Sequence, residues 1–233
     1  MSASVDELRE DVAVGCRILE LEGQGDFVWG HVSVRDPENR GVWMKASTFG
    51  FDEITPEHVV LVSWEGEVLE GDHRRHWEYP IHTRLLTARD DVHAVVHTHP
   101  PWAVAFGSLD VPLRPISREG VMFVPPDIAR FTQTSDLIVT DGLGDDLADV
   151  VGDRNAALMV NHGIVTCGVD VPMAVMTAVL LERACLTNMR AYAAGGPAIW
   201  SSDEETLAKR ERISGGPSIM QTWDYLKRRL QSS

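Results

Sequence analysis

The sequence has 233 residues, 44% of them hydrophobic, which is enough to bury the core of one α/β domain. Its 35 acidic and 21 basic residues give a formal net charge of -14, which argues against nucleic acids and anionic membranes as partners because both attract basic surfaces. No apolar stretch approaches the roughly 20 residues of a membrane-spanning helix, and residues 1–7 contain no basic region followed by an apolar core, so we expect a cytoplasmic protein.

The N-terminal part of the chain predicts one helix followed by short strands. Ser4 and Glu7 form a capping box ahead of an i, i+4 apolar row that ends at Gly23, and this pattern predicts an amphipathic helix. Gly30 lies inside the first predicted strand, where it indicates either a bulge or a place at which backbone and small polar groups approach a ligand. The polar segment 71–76 is expected to be exposed. The strands are predicted at residues 27–37, 42–45, 59–64 and 67–69.

From residue 77 onward, helices and strands alternate. Residues 77–89 predict a helix, because apolar side chains recur on one side and Pro80 falls where a first turn tolerates proline. The longest helix, 173–194, has Asp170 as its cap and Pro172 in its first turn. The other elements are a strand at 92–96, a short helix at 102–109, an extended segment at 111–118, a loop at 119–131, a strand at 134–140, a helix at 142–152, a strand at 157–161, and helices at 203–213 and 218–230.

Two features describe the chain as a whole. The cysteines are odd in number and scattered through apolar segments, at Cys16, Cys167 and Cys185. This usage predicts buried thiols rather than disulfides or zinc thiolates. There is no repeat and no linker long enough to divide the chain, so we expect one domain over residues 1–233.

Two histidines follow the apolar run 92–96. Side chains in a strand alternate between faces, so His97 and His99 would lie side by side on one face, with Thr98 turned away. This spacing suits two ligands of one metal ion. By spacing alone, a structural role for the pair is an equal alternative.

A third histidine and a carboxylate complete a candidate metal site. His162 follows the apolar run 157–161 and precedes Gly163, which would let the backbone turn away. Glu78 opens the helix predicted at 77–89, although a glutamate in a first turn is more often a partner of the helix dipole. Three imidazoles and one carboxylate suit Zn(II) or another first-row divalent ion.

Four motifs together resemble those of the class II aldolase/adducin family, in order and separation over about residues 8–195. The motifs are Gly30-His31-Val32-Ser33, Glu78 with His82, Ala94-Val95-Val96-His97-Thr98-His99, and Asn161-His162-Gly163. The resemblance implies a three-layer α/β/α sandwich with a mostly antiparallel central sheet. It implies one divalent metal ion per subunit (Zn, or Mn, Co or Fe) on His97, His99 and His162, with Glu78 as metal-site carboxylate and acid/base. It also implies a homo-oligomer, usually a tetramer, with active sites between subunits.

The sequence departs from the sugar-phosphate members of that family where they resemble one another. Those members have Gly-Asn in place of Gly30-His31 and a Pro-Ser-Gly loop in place of residues 46–50. An imidazole and the ring of Phe49 would crowd a phosphate cradle made of backbone amides and hydroxyls. The segment at Met122 and Phe123 lacks the tyrosine that sugar-phosphate aldolases tend to have. The chain is therefore more similar to the branch that acts on carboxylated, non-phosphorylated compounds, including decarboxylases of hydroxylated aromatic acids such as dihydroxyphthalate.

We expect a metal-dependent decarboxylase, a carbon–carbon lyase, for an aromatic acid with a hydroxyl group ortho to its carboxylate. Glu78 or His31 would protonate the ring carbon, and His31, Ser47 and Arg118 would contact the substrate. Arg118 is the candidate for a second substrate carboxylate, because a guanidinium presents two donors to it. The alternative for Arg118 is an ion pair with one of the 35 acidic side chains.

Three other functions are open from the sequence. A sugar-phosphate aldolase or epimerase would use the same ligand set. Adducin belongs to the family without being an enzyme, so a non-catalytic scaffold is possible, although the presence of all four site residues argues for catalysis. A non-haem iron oxygenase would fit three histidines with open coordination positions around Fe(II).

Overall fold

The structure is a computed structural model that describes residues 4–213 and 216–231. Its helices are α1 (Val5–Leu21), α2 (Tyr79–Ala88), α3 (Pro101–Gly107), α4 (Asp141–Val151), α5 (Val171–Ala193), α6 (Asp203–Ile213) and α7 (Gly216–Leu230). Its strands are β1 (His31–Arg35), β2 (Gly41–Lys45), β3 (Val59–Ser63), β4 (Val68–Glu70), β5 (Ala94–Thr98), β6 (Ala129–Phe131), β7 (Ala156–Met159) and β8 (Gly163–Gly168). None of the helices in the described ranges is both long enough and apolar enough to cross a bilayer.

The strands form one eight-stranded, mostly antiparallel sheet. The strand order is β4-β3-β2-β1-β5-β8-β7-β6, and β6 and β7 at one edge run parallel. The pairing register places His97 of β5 opposite His31 of β1 and opposite Val165 of β8. The prediction of an α/β fold with a mostly antiparallel sheet is confirmed.

Helices cover the sheet on both faces because strand side chains alternate. Val32 of β1 and Val96 of β5 belong to one hydrophobic core, together with buried residues of α1, α3, α5 and α7. Val95 of β5 and Val165 of β8 belong to a second core, with buried residues of α2 and α4. His97 lies two residues after Val95 and therefore on the same face, towards α2 and α4.

The predicted helix caps and buried thiols are confirmed. The Ser4 hydroxyl accepts from the backbone N–H of Glu7, and the Glu7 carboxylate accepts from the backbone N–H of Ser4, which completes the capping box of α1. The Asp170 carboxylate accepts from the N–H of Met173 at the start of α5. The three cysteines are free and buried, as predicted.

The strand prediction at 134–140 was wrong, and two strands were missed. Residues 134–140, all of them described, contain isolated bends and no strand, because the Thr134 and Asp136 side chains accept from neighbouring backbone N–H groups, which replaces ladder pairing. β6 lies in the segment predicted as a loop, and β8 lies between the strand predicted at 157–161 and the cap of α5, where no strand is predicted.

Two further predictions on the N-terminal side need correction. The first strand begins at His31, not at residue 27, because Phe27 adopts a left-handed φ of 51° in a turn. The segment 71–76 is not uniformly exposed: its last residue, His76, is 8% exposed. A polar run in the sequence therefore ends in a buried imidazole.

Candidate active site

Two adjoining segments bring the predicted metal ligands together. His97 is in β5, His99 follows the strand, and His162 lies in the turn between β7 and β8. The positive φ of 59° in this turn belongs to Asn161, not to Gly163. A Cβ at Gly163 would lie 2.5 Å from the carbonyl oxygen of Thr98 and 2.8 Å from Cδ2 of His99. Glycine is therefore needed because β8 approaches the histidine pair closely.

The three imidazoles point ring nitrogens at a common position. One nitrogen from each of His97, His99 and His162 lies within 4.8 Å of the others, and the Nε2 atoms of His97 and His99 are 3.1 Å apart. The Nδ1–H of His97 donates to the carbonyl oxygen of Ile164 at 2.8 Å, and the Nδ1–H of His99 donates to the Asp26 carboxylate at 3.0 Å. Because a carbonyl and a carboxylate only accept, the Nε2 lone pairs of both rings face each other.

This arrangement fits a divalent metal ion. Burial lowers the pKa of His97 well below its usual value, with His99 and His162 adding to the effect, and burial lowers the pKa of His162 to about 4. The rings are therefore neutral near pH 7. Two neutral nitrogen lone pairs 3.1 Å apart repel each other unless a cation lies between them. An Nδ1–H donated to a carbonyl or carboxylate is also the usual second contact of a metal-bound histidine.

Glu78 lies beside the three rings, immediately before α2. Its Oε1 accepts from the backbone N–H of Ile138 at 2.9 Å and lies 3.6 Å from Nε2 of His162, while Oε2 lies 3.9 Å from Nε2 of His97. Burial raises the pKa of Glu78; the nearby Asp136 adds to the rise, and the Ile138 N–H opposes it. A raised pKa favours the protonated carboxyl group, which is the form that can deliver a proton to a substrate held beside the three rings.

His31 joins the same group from the neighbouring strand. Its ring centroid is 4.9 Å from that of His97, and one of its ring nitrogens lies within 4.8 Å of ligand atoms of both Glu78 and His97. Nδ1 of His31 is 2.6 Å from Nε2 of His82, and Nδ1 of His82 is 2.7 Å from Oγ of Ser33. The structure therefore brings together His31, Glu78 and the three candidate ligands.

A buried lysine lies behind His31. Lys45 is 0% exposed and donates to the carbonyl oxygens of Val28 at 3.1 Å and Ala46 at 3.3 Å, and to Nε2 of His76 at 3.3 Å. Burial lowers the pKa of Lys45 to about 8. The His76 ring centroid is 4.5 Å from that of His31. Lys45 therefore holds the His76 ring beside His31.

Ser47 and Arg118 do not join this group. The backbone N–H and the hydroxyl of Ser47 both donate to the carbonyl oxygen of Arg74, at 2.8 and 3.1 Å. Arg118 donates to the hydroxyl of Ser218 at 3.0 Å, in a groove whose lining contains none of the predicted metal ligands. The contacts of both residues with substrate stay predictions.

Sequence reasoning missed Asp26, Lys45 and His76. Asp26 is separated from its partner His99 by 73 positions, and its only signal is an acidic residue shortly before Gly30-His31. Lys45 had a clearer signal, since it ends the apolar run 42–45, where a charged side chain needs partners.

Comparison with known proteins decides the family. Residues 10–189 match the family described as Class II Aldolase and Adducin N-terminal domain. The chain belongs to this family. The resemblance seen in the four motifs is therefore confirmed.

Relatives within the class II aldolase family include a decarboxylase and an aldolase. The chain is 28% identical to the 3,4-dihydroxyphthalate decarboxylase of Arthrobacter keyseri, with 97% of this chain and 94% of that protein covered. It is 29% identical to the 5-deoxy-D-ribulose 1-phosphate aldolase of Bacillus thuringiensis serovar kurstaki, with 88% and 94% covered. Among solved structures, an aldolase II superfamily protein from Pseudomonas syringae is 27% identical and has a TM-score of 0.88, with 100% and 95% covered. These relatives support a lyase enzyme.

Proposed function

We propose that this member of the class II aldolase family is a metal-dependent decarboxylase of a hydroxylated aromatic carboxylic acid such as dihydroxyphthalate. The observation that carries the proposal is the position of buried Glu78, with its raised pKa, beside the converging nitrogens of three neutral histidines. A Lewis acid and a proton donor in such proximity can catalyse the exchange of a carboxyl group for a proton. Similarity to a 3,4-dihydroxyphthalate decarboxylase over 97% of the chain supports this substrate class.

The residues of the site can supply the proton that the ring carbon takes up and can hold an ion that stabilises the negative charge of the substrate. A divalent ion held by His97, His99 and His162 would supply a Lewis acid for the phenolate and carboxylate oxygens of the substrate. When carbon dioxide leaves, the electron pair of the broken carbon–carbon bond stays on the ring carbon, which then takes a proton. In the protonated form of Glu78, Oε1 accepts from the Ile138 N–H, which leaves the carboxyl hydrogen to Oε2, the oxygen 3.9 Å from Nε2 of His97. The backbone thus fixes the direction in which Glu78 presents its proton.

The loop at residues 46–50 favours a carboxylated substrate over a phosphorylated one. Both polar hydrogens that Ser47 could offer to a phosphate are used on the carbonyl oxygen of Arg74. Phe49 stacks on His58 with ring centroids 4.0 Å apart, so the loop packs against another ring instead of forming an open cradle. A phosphate cradle needs free backbone amides and hydroxyls. A sugar-phosphate aldolase or epimerase is the second candidate, supported by the similarity to a 5-deoxy-D-ribulose 1-phosphate aldolase.

Release of carbon dioxide tests the proposal. Purified protein is reconstituted separately with Zn(II), Mn(II), Co(II) and Fe(II) and assayed on hydroxylated benzoates and phthalates, with L-fuculose 1-phosphate and 5-deoxy-D-ribulose 1-phosphate alongside. We expect metal-dependent release from an aromatic acid, abolished in His97→Ala. Cleavage of a sugar phosphate without carbon dioxide release would assign the aldolase function. Oxygen consumption with substrate would assign an oxygenase, and stoichiometric metal without any turnover would favour a scaffold.

The active protein is, on the same proposal, a homotetramer of single-domain, three-layer α/β/α subunits with active sites between them. Four aromatic side chains close in sequence to site residues are exposed: Phe27 by 82%, Trp29 by 56%, Trp77 by 77% and Trp102 by 41%. Exposed apolar surface of this kind marks interaction sites, and a second copy of the chain would cover it. Sedimentation should give four times the 25.8 kDa of one chain, and Trp77→Glu should lower that mass. A wild-type protein that sediments as one chain would refute the assembly.

A further inference from the structure

Three buried polar groups form a continuous chain that ends at the metal ligands. Ser33 and His31 lie on β1, and His82 of α2 contacts both of them. Oγ of Ser33 is 2.7 Å from Nδ1 of His82, and Nε2 of His82 is 2.6 Å from Nδ1 of His31. Ser33 and His82 are 0% exposed, and His31 is 2% exposed. Within residues 4–213 and 216–231, Nε2 of His31 has no hydrogen-bond partner.

The direction of the hydrogen bonds follows from what Ser33 can reach. Nδ1 of His82 is the partner of the Ser33 hydroxyl in the described part of the chain. If the hydroxyl accepted from His82, its own hydrogen would be buried without an acceptor. An orphaned buried donor costs more than a spare oxygen lone pair. Ser33 therefore donates to Nδ1 of His82.

The direction of the Ser33–His82 hydrogen bond also sets the direction of the His82–His31 hydrogen bond, because a neutral imidazole has one ring hydrogen. His82 is 0% exposed and His31 is 2% exposed, and burial of this kind disfavours a charged imidazole, so each ring is taken as neutral. Since Nδ1 of His82 accepts from Ser33, the hydrogen of His82 is on Nε2, which donates to Nδ1 of His31. The hydrogen of His31 is then on Nε2. This is the opposite of His97, whose hydrogen is on Nδ1.

We propose that Ser33 and His82 are positioning residues that hold His31 as its Nε2–H tautomer, so that His31 donates a hydrogen bond to an anionic oxygen of the substrate instead of ligating the metal. The inference rests on the proposed function, because it specifies how a carboxylate or phenolate oxygen is held next to Glu78 and His97. A ring nitrogen of His31 is within 4.8 Å of ligand atoms of both. A protonated Nε2 has no lone pair to give to a metal ion, whereas it suits an oxyanion.

Ring-nitrogen spectra test the tautomer without any turnover. The full chain is labelled with 15N in its histidine rings, and long-range 1H–15N correlations are recorded in metal-free and Zn(II)-loaded protein. Signals of His31 and His82 are assigned from the variants His31→Asn and His82→Gln. We expect both rings to carry hydrogen on Nε2 in both samples. Hydrogen on Nδ1 of His31, or a Zn(II)-induced shift of its Nε2 that indicates coordination, would overturn the proposal.

Removal of one hydroxyl tests whether Ser33 sets this order. In Ser33→Ala, we expect His82 and His31 to populate both tautomers, and Ser33→Thr should restore the wild-type spectrum. Thr166→Val is a matched control, because Thr166 is 0% exposed and its hydroxyl donates to the carbonyl oxygen of Ala174 at 2.9 Å. Its spectrum should equal that of wild type. An unchanged spectrum in Ser33→Ala would refute the positioning role.

Kinetics give a second readout that separates positioning from a structural role. At equal metal content, Ser33→Ala should raise KM for the aromatic acid on the order of 10-fold, as expected when an outer partner of a site residue is lost, with a smaller effect on kcat. Thr166→Val should change neither constant. Equal KM values in the two variants would contradict the inference. If no aromatic acid is turned over, the proposed function fails while the spectra still decide the tautomer.

Discussion

Glu78→Gln removes the acidic proton of Glu78 and keeps the shape of the side chain. The amide keeps an oxygen that accepts from the Ile138 N–H, the contact that spans 2.9 Å in the wild type, and it occupies nearly the same volume. It has no proton to deliver to a ring carbon. Loss of a general acid typically costs 10²–10⁴-fold in rate, so turnover should fall by about 100-fold or more. Metal content, measured by mass spectrometry of the digested protein, should stay at the wild-type level.

Stability measurements distinguish this loss from unfolding. Burial raises the pKa of Glu78, so the ionised carboxylate destabilises the folded chain near pH 7, and the neutral amide removes that penalty. The free energy of unfolding of Glu78→Gln should therefore equal or exceed that of wild type. Glu182→Gln is the matched control: this buried glutamate also has a raised pKa, and both its oxygens accept backbone N–H bonds, from Trp102 and Ala103. It should lose stability and keep its turnover per bound metal.

Two results would refute this reasoning about Glu78. Wild-type turnover in Glu78→Gln at full metal content would remove Glu78 from the proton transfer. Parallel loss of metal and turnover would instead assign Glu78 as a ligand, a role that its distances of 3.6 and 3.9 Å to the nitrogens of His162 and His97 also allow.

Three further changes test the surroundings of the site. Asp26→Ala removes the acceptor of the Nδ1–H of His99, and metal affinity, measured by competition with a chelator, should fall about 10- to 100-fold; an unchanged affinity would refute the contact. Gly163→Ala places a Cβ 2.5 Å from the carbonyl oxygen of Thr98, so the Tm and the metal content should both fall, whereas an unchanged Tm would mean that β8 can move aside. Burial lowers the pKa of Lys45 from 10.5 to about 8, so the unfolded chain binds more protons between these pH values, and the contribution of Lys45 to the free energy of unfolding rises with pH across that window. Denaturant melts at pH 8 and 10.5 should show that rise, about 3 kcal/mol relative to Lys45→Met, and equal pH dependence in both proteins would contradict it.

Local sequence signals predicted the parts of the site that lie close together in the chain. Strand alternation placed His97 and His99 on one side, and their Nε2 atoms are indeed 3.1 Å apart. Pro80 and the apolar row of α2 predicted the helix that Glu78 precedes. The convergence of His162 and Glu78 on that pair followed from the family resemblance, because nothing in their spacing requires it.

Tertiary contacts explain what the sequence did not reveal. β8 was not predicted, because glycines at both of its ends and its position just before Asp170 are also typical of the approach to a helix. Its pairing with β5 comes from residues about 70 positions away, which no local pattern reports. Asp26 and His76 likewise gained their roles only when the fold brought them to His99 and to Lys45.

The chain has nine histidines, and the residue type alone does not separate a metal ligand from a donor to an anion. The group behind each ring does. A carbonyl oxygen behind His97 and a carboxylate behind His99 can only accept, so both rings turn lone pairs towards the site. His31 is backed by His82, which accepts from the Ser33 hydroxyl, so the His31 ring turns an N–H towards the same space. A substrate that offers an oxyanion next to a bound cation would then meet complementary charge from both sides of β5, and the partners at the far nitrogens would set that complementarity.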